Sequence, residues 1–379
     1  MKKLLSMVLC LAMAIGCFAF VSCGNKDNGN DSGKYKIAMV TDYGDITDQS
    51  FNQSTWEAVK KFGTEKGIQY KYYKPTGDST QARVTSINDA IEEGYNVIVT
   101  PGYAFAGALV ETAEKNPDVK FIAIDVGSGD FEGAKAGYKL PSNLTSFIYQ
   151  EELPGYMAGY AAVKEGYTKL GFLGGMAVPA VVRYGYGFVQ GANDAAKELN
   201  ISNEVTIEYV YGNKFGPDPK IKAYMDTMYQ SVDVVFACGG GIYISACEAA
   251  KDKGDGKKLI GVDVDQSFII NKGYGEGRCI TSAMKGLAAT TLTALTDTVD
   301  GNFSKYAGKI STLGIIDGNN PENNYVQLPM DTWTMTKFTV NDYKALVKDL
   351  FDGKKTVSGD TENHPEVSIT VNYATSTIV

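Results

Sequence analysis

KIAMVTDYGDITDQSFNQSTWEAVKKFGTEKGIQYKYYK, residues 36–74, decides the fold. KIAMVT (36–41) is a short apolar run that reads as a strand. SFNQSTWEAVKKFGTEKG (50–67) sets Trp56, Val59 and Phe62 on one stripe at helical spacing. IQYKYYK (68–74) returns to strand. The unit then repeats: a helix around 80–93 opened by Ser79 and Thr80, a buried strand NVIVT (96–100), a helix AFAGALVETAEK (104–115) and a strand KFIAID (120–125). Strands alternating with helices in this way predict a parallel sheet with helices on both faces. The right-handed crossover rule leaves that order little topological freedom. After about residue 145 the pattern begins again, with strands KLGFLGG (169–175), TIEYVYG (206–212), VDVVFACGG (232–240) and KLIGVDV (258–264) and a helix around 180–198. The chain therefore reads as two similar α/β lobes.

In open α/β sheets ligands bind beyond the carboxyl ends of the strands. Those ends carry Asp42, Tyr43 and Gly44, then Pro101, Gly102 and Tyr103, then Asp125 in the first lobe. In the second they carry Gly174 and Gly175, Gly239 to Gly241, and Asp263 with Asp265. Small residues and carboxylates thus collect where two facing lobes enclose a cleft. Asp42 suits a turn or a ligand. Asp45 and Asp48 sit nearer the helix start and read as loop and cap residues, with Ser50 competing for the cap. D-Y-G-D-I-T-D is not a calcium loop, because Gly44 has the wrong offset and no Glu closes position twelve. Phe51 lies close enough to the strand ends to face the cleft. GGMAVPAVVRYGYGFVQG (174–191) lacks a proper phosphate-loop pattern, and Gly185-Tyr186-Gly187 reads as helix packing. CGGG (238–241) reads as a tight turn or as backbone approaching a ligand. ITSAMKGL (280–287) puts Lys285 at a helix start, unfavourable against the helix dipole, which calls for a partner such as Asp263 or an acceptor-rich ligand.

The net charge of −8 and the lack of a dense Lys/Arg block argue against nucleic-acid binding. His364 is the sole histidine, against His-based catalysis and His-ligated metals. Cys238, Cys247 and Cys279 have no metal-site spacing and read as small core residues. At the amino end, Lys2 and Lys3 precede an apolar run from Leu4 to Val21, then Ser22-Cys23. This reads as a secretory signal over 1–22. The small residue before Cys23 resembles a bacterial lipobox, with Cys23 lipidated and 23–35 a flexible tether, although Phe20 replaces the usual Leu.

MVTDYGDITDQSFNQSTWEAV, FIAIDVG, LGFLGGM, GVDVDQ and ITSAMK occur in the order and approximate spacing of the basic membrane protein family. The chain resembles these lipid-anchored substrate-binding proteins of ABC importers, and their purine nucleoside receptors in particular, from about residue 36 to about 300. The resemblance implies a type I periplasmic-binding-protein fold, two doubly wound parallel-sheet lobes joined by a three-segment hinge. Lobe one is expected at 36–143 plus 267–308, and lobe two at 144–266 plus 309–379. It implies no enzyme activity and no cofactor, a purine nucleoside ligand (inosine, guanosine or adenosine), and permease and ATPase partners. The lipid anchor would hold the protein on the extracytoplasmic face of the cell membrane. By resemblance, Asp42 and Asp125 hydrogen-bond the base edge, with Asn52 beside them. Phe51 stacks on the base and Phe215, in GNKFGPDP, opposes it. Gly240, Asp263 and Lys285 bind the ribose, and Tyr103 and Met176 line the pocket. A carboxylate accepts the ring N–H and amino donors of a purine, and flat rings stack on any base. The alternatives are the same fold with a pentose or furanose-type sugar, a nucleoside hydrolase using the aspartates with calcium, or a surface adhesin or regulator.

Overall fold

The structure is a computed structural model and describes residues 33–42 and 44–379. The signal, Cys23 and all of the tether but its last three residues lie outside the described residues. In chain order the first half holds β1 (Lys36–Val40), α1 (Phe51–Lys66), β2 (Gln69–Tyr73), α2 (Thr80–Glu92), β3 (Val97–Pro101), α3 (Ala106–Thr112), β4 (Lys120–Ile124), α4 (Ser128–Ala134), β5 (Leu144–Tyr149) and α5 (Glu152–Glu165). There follow β6 (Lys169–Gly174), α6 (Pro179–Leu199), β7 (Thr206–Tyr211), α7 (Pro219–Met228), β8 (Val234–Cys238), α8 (Tyr243–Lys253), β9 (Lys258–Asp263) and α9 (Ser267–Tyr274). The last part holds β10 (Cys279–Lys285), α10 (Leu287–Val299), β11 (Ile310–Leu313), β12 (Val326–Gln327), α11 (Val340–Phe351) and β13 (Thr370–Tyr373).

Two sheets form. The first runs β11-β5-β4-β3-β1-β2 and is parallel throughout. The second runs β12-β10-β9-β8-β6-β7-β13, parallel except where β12 meets β10. Helices cover both faces, so the central strands are sealed from water; every residue of β3 and β8 is buried. Each buried Val or Ile in them contributes roughly 1.5–3 kcal/mol of hydrophobic stabilisation. Each sheet separates two apolar clusters, one per face.

Three chain positions correct the expected lobe boundaries. β5, expected in lobe two, hydrogen-bonds to β4 in the first sheet. β11 joins the same sheet through β5. β10, expected in lobe one, pairs with β9 in the second sheet. The chain crosses only after each strand is complete, at 150–151, 286 and 314–325, and the strands set that point. LTSFIY carries no Gly or Pro punctuation, so its membership is decided by pairing, not by local signals. The crossings exchange helices: α10 returns from the second sheet to pack on α1, while α5 leaves the first sheet to pack on α6.

The α5–α6 pair is unusually close, and glycines allow it. A Cβ at Gly155 would lie 2.2 Å from the Tyr184 carbonyl oxygen, and one at Gly191 would lie 2.0 Å from that of Tyr156. The Gly-rich stretch of α6 is thus a helix-packing surface, as its sequence predicts. That contact fixes Arg183 and Tyr184 against the start of α5. The tail, in which the sequence shows little, completes the second lobe. Thr339 and Asp342 form a capping box that opens α11, α11 packs on α5, and β13 extends the sheet beside β7. Among the described residues no helix is long and apolar enough to cross a membrane.

Candidate functional site

A cleft of about 550 Å³ opens between the carboxyl ends of the two sheets. It is lined by Asp42, Phe51, Asn52, Tyr103, Asp125, Phe215, Gly240, Asp263 and Lys285 among others, all of them expected from the sequence. Met176 is not among the described lining residues; its sulfur accepts from the Tyr103 hydroxyl at 3.7 Å.

The loop after β1 builds one end. The Asp42 carboxylate accepts from the Gly44 N–H at 2.5 Å and from the Asn52 amide at 3.2 Å. Asp48 accepts the N–H groups of Ser50, Asn52 and Gln53 at 2.9–3.1 Å, the free donors of the first turn of α1. Burial raises its pKa, against the opposing pull of those N–H groups. Asp48 therefore starts the helix, and Asp45 pairs with Lys74 at 3.1 Å. Ser50, the other candidate cap, makes no cap bond. Its hydroxyl reaches across the cleft to Asp263 at 2.5 Å. The Asn52 side-chain oxygen is buried without a hydrogen-bond partner among the described residues.

The other end is a charge cluster around Lys285, the last residue of β10. Its ammonium bonds to Asp125 and stands 3.6 Å from Glu151 and 3.7 Å from Asp263. Burial works against the charged form of Lys285. The three acids outweigh it and hold its pKa above the ordinary value. Asp263 is pushed up by burial, against the pull of Lys285 and Ser50. Asp125 and Asp263 occupy equivalent positions, just past β4 and at the end of β9. Both take left-handed backbone, φ 60° and 66°. Such strain in non-glycine residues is concentrated at functional sites. Asp125, assigned by resemblance to the base edge, sits with Lys285. One of its oxygens is buried without a hydrogen-bond partner among the described residues.

Aromatic rings flank these polar groups. The Lys285 ammonium lies 4.7 Å from the Phe51 ring centroid, within cation–π range. Phe215 comes from the loop after β7 and rests on glycines; a Cβ at Gly175 would lie 2.4 Å from its ring, and one at Gly239 2.7 Å. The CGGG turn therefore makes room for a ring. Sequence reasoning missed Glu151, Glu152, Arg183 and Tyr184. The adjacent acids of QEELPG and the arginine inside the apolar run PAVVRYGYGF were the available signals. Arg183 bonds to Glu151 at 2.6 Å and leaves Glu152 at 3.9 Å. Burial raises both carboxyls, Glu152 to about 7.

Among the described residues no cluster of side chains suits a metal. Two parallel-sheet lobes closing on a polar, ring-lined cleft are the architecture of the solute-binding proteins that serve ABC transporters. The fold matches that of an ABC transporter solute-binding protein from Aeropyrum pernix K1, with a TM-score of 0.65 at 20% identity over 86% of this chain and 88% of that one. The chain belongs to the Bmp family, described as ABC transporter substrate-binding protein PnrA-like, whose model matches residues 35–325. It is similar to the ABC transporter nucleoside-binding protein BmpA of Lactococcus lactis subsp. cremoris, 30% identical over 94% of this chain and 99% of that protein. It is also similar to basic membrane protein B of Borreliella afzelii, 29% identical over 81% of this chain and 87% of the relative. The family is one of substrate-binding proteins, not enzymes.

Proposed function

We propose that this substrate-binding protein captures a purine nucleoside in the cleft and delivers it to the permease and ATPase of an ABC importer, held at the extracytoplasmic face by lipid on Cys23. One observation carries the reading: one cavity combines two aromatic rings, Phe51 and Phe215, with two sets of polar side chains, Asp42 with Asn52 and Lys285 with Asp125 and Asp263. The Asp42–Asn52 end offers acceptors and an amide to a base edge. The Lys285–Asp263–Asp125 end offers a donor flanked by acceptors, which suits a hydroxylated sugar. Stacking contributes about 1–3 kcal/mol per base. The name of the Lactococcus relative supports the same ligand class. Bonds that span the cleft, Ser50 to Asp263 and Gln266 to the Gln49 carbonyl at 3.2 Å, fit a hinge that closes over its ligand.

Calorimetric titration with inosine, guanosine, adenosine and D-ribose tests this. Heat with at least one nucleoside is expected, and Asp42→Ala should weaken it about tenfold or more. Heat with ribose and none with any nucleoside overturns the reading in favour of a sugar receptor. Native mass spectrometry of protein extracted from membranes reports the retained ligand and the acylation of Cys23 in one measurement.

A further inference from the structure

Tyr184 is among the largest fully buried side chains, 1% exposed, yet it borders the cleft. It sits on α6 where Gly155 of α5 lets the helices close, so its backbone has little freedom to shift. Its hydroxyl is buried and has no hydrogen-bond partner among the described residues. A buried hydroxyl left unmatched is costly, and native structures seldom retain one without a reason. Its surroundings point to that reason. The Lys285 ammonium lies 5.8 Å from the ring centroid. Burial first, then the charges of Asp263, Glu151 and Asp125, hold the phenol well above its ordinary pKa. The group therefore stays a neutral O–H, able both to donate and to accept. Arg183 and Glu151 are committed to each other and Lys285 to Asp125. Tyr184 is the neutral member of the cluster with its hydrogen-bonding capacity unspent.

We propose that Tyr184 is a ligand-binding residue that reads one hydroxyl of the sugar, at the Lys285–Asp263 end of the cleft. The assignment rests on the nucleoside reading. A ligand hydroxyl supplies the partner the fold withholds, while Asp263 and Lys285 take its neighbours. A ligand lacking that one hydroxyl leaves the phenol unmatched again.

The test measures the Kd of the full chain and of Tyr184→Phe for inosine, 2′-deoxyinosine, 3′-deoxyinosine and 5′-deoxyinosine, with the matching adenosine series in parallel. Tyr184→Phe removes only the oxygen, and its melting temperature should stay at or above that of the parent. Affinity for the complete nucleoside should fall about tenfold, the loss of one buried hydrogen bond. That loss should shrink below about twofold for one of the three deoxy ligands and persist for the other two. Equal losses for every ligand, or none for any, overturn the assignment while leaving the nucleoside reading intact. A parent protein that binds neither series overturns the nucleoside reading and this assignment with it.

Discussion

The two lobes present the same strand ends with different chemistry. β1, β3 and β4 of the first sheet occupy the places of β6, β8 and β9 of the second. Behind the first set stand Asp42, Gly102 with Tyr103, and Asp125. At the second set stand Gly174 with Gly175, Gly239 with Gly240, and Asp263. The second and third places are alike in backbone, a positive-φ glycine and then an aspartate in left-handed backbone on each side. The first lobe offers side chains directly, and its ring, Phe51, opens a helix. The second keeps its turns bare so that Phe215 can lie on them. The crossings are unlike too: the one after β5 carries Glu151 and leads into Glu152, and the one after β10 follows directly on Lys285. The cleft lining is thus divided, with polar side chains from lobe one, bare turns and a ring from lobe two, and opposite charges meeting between them.

The largest effect should come from the hinge charges. Lys285→Met leaves Asp125, Asp263 and Glu151 buried without their shared cation. Removing one partner of such a set costs about 3–5 kcal/mol. Denaturant melts should show that loss, and titration should show ligand affinity reduced by about 100-fold or more. Glu151→Gln removes one of the three acids around Lys285 and leaves Glu152 beside Arg183, so it should cost less. Equal losses in the two variants would mean that the crossings do not play different parts.

A smaller effect should separate the glycine turns. Gly102 and Gly239 hold equivalent places with φ of 118° and 131°. Alanine is strained at both, by about 1–3 kcal/mol. At Gly102 the added carbon meets Asp42 at 3.5 Å, an ordinary contact, whereas at Gly239 it would sit 2.7 Å from the Phe215 ring. The two alanine variants should therefore melt alike. Gly239→Ala should weaken nucleoside binding about tenfold more, the share of a displaced stacking ring. Equal dissociation constants would break the claim that lobe two holds its turns bare for Phe215.

What the sequence made legible follows the same division. Strand ends can be read from pattern, so Asp42, Gly240 and Asp263 were found by position. Strand membership in a sheet cannot be read that way, because pairing is long-range; β5 and β10 went to the wrong lobes for that reason. Tyr184 was missed since a tyrosine on an apolar helix looks like core, and it is core except for one oxygen. Lys285 announced its need of a partner through the helix dipole. That its nearest acid is Asp125 rather than Asp263 required the lobes to be folded against each other. The tail beyond 315 held a local signal that went unread, the Thr339–Asp342 cap, and its docking onto α5 and β7 is tertiary.

The smallest effect concerns pH and the acid crossing alone. One guanidinium serves two adjacent carboxyls, and Glu151 holds it at 2.6 Å. Glu152 is left with one buried oxygen lacking a hydrogen-bond partner among the described residues, and the tail packs over it at Gly359. Burial, opposed by its own backbone N–H, and then the balance of Glu151 against Arg183 set its pKa at about 7, where the unfolded chain has about 4.5. Between those values the folded protein keeps a proton that the unfolded chain releases. Stability from this group is therefore full below pH 4.5 and declines as pH rises toward 7, by about 1–3 kcal/mol. Glu152→Gln mimics the protonated form and should flatten that decline in urea melts taken from pH 5 to pH 8. Its ligand affinity should stay within about twofold of the parent's, because Glu152 does not line the cleft. An unchanged slope in this variant would place the proton on Glu151 or Asp263, both of which burial also raises. It would then belong to the cluster that both crossings share, and the acid crossing would lose its separate part in the hinge.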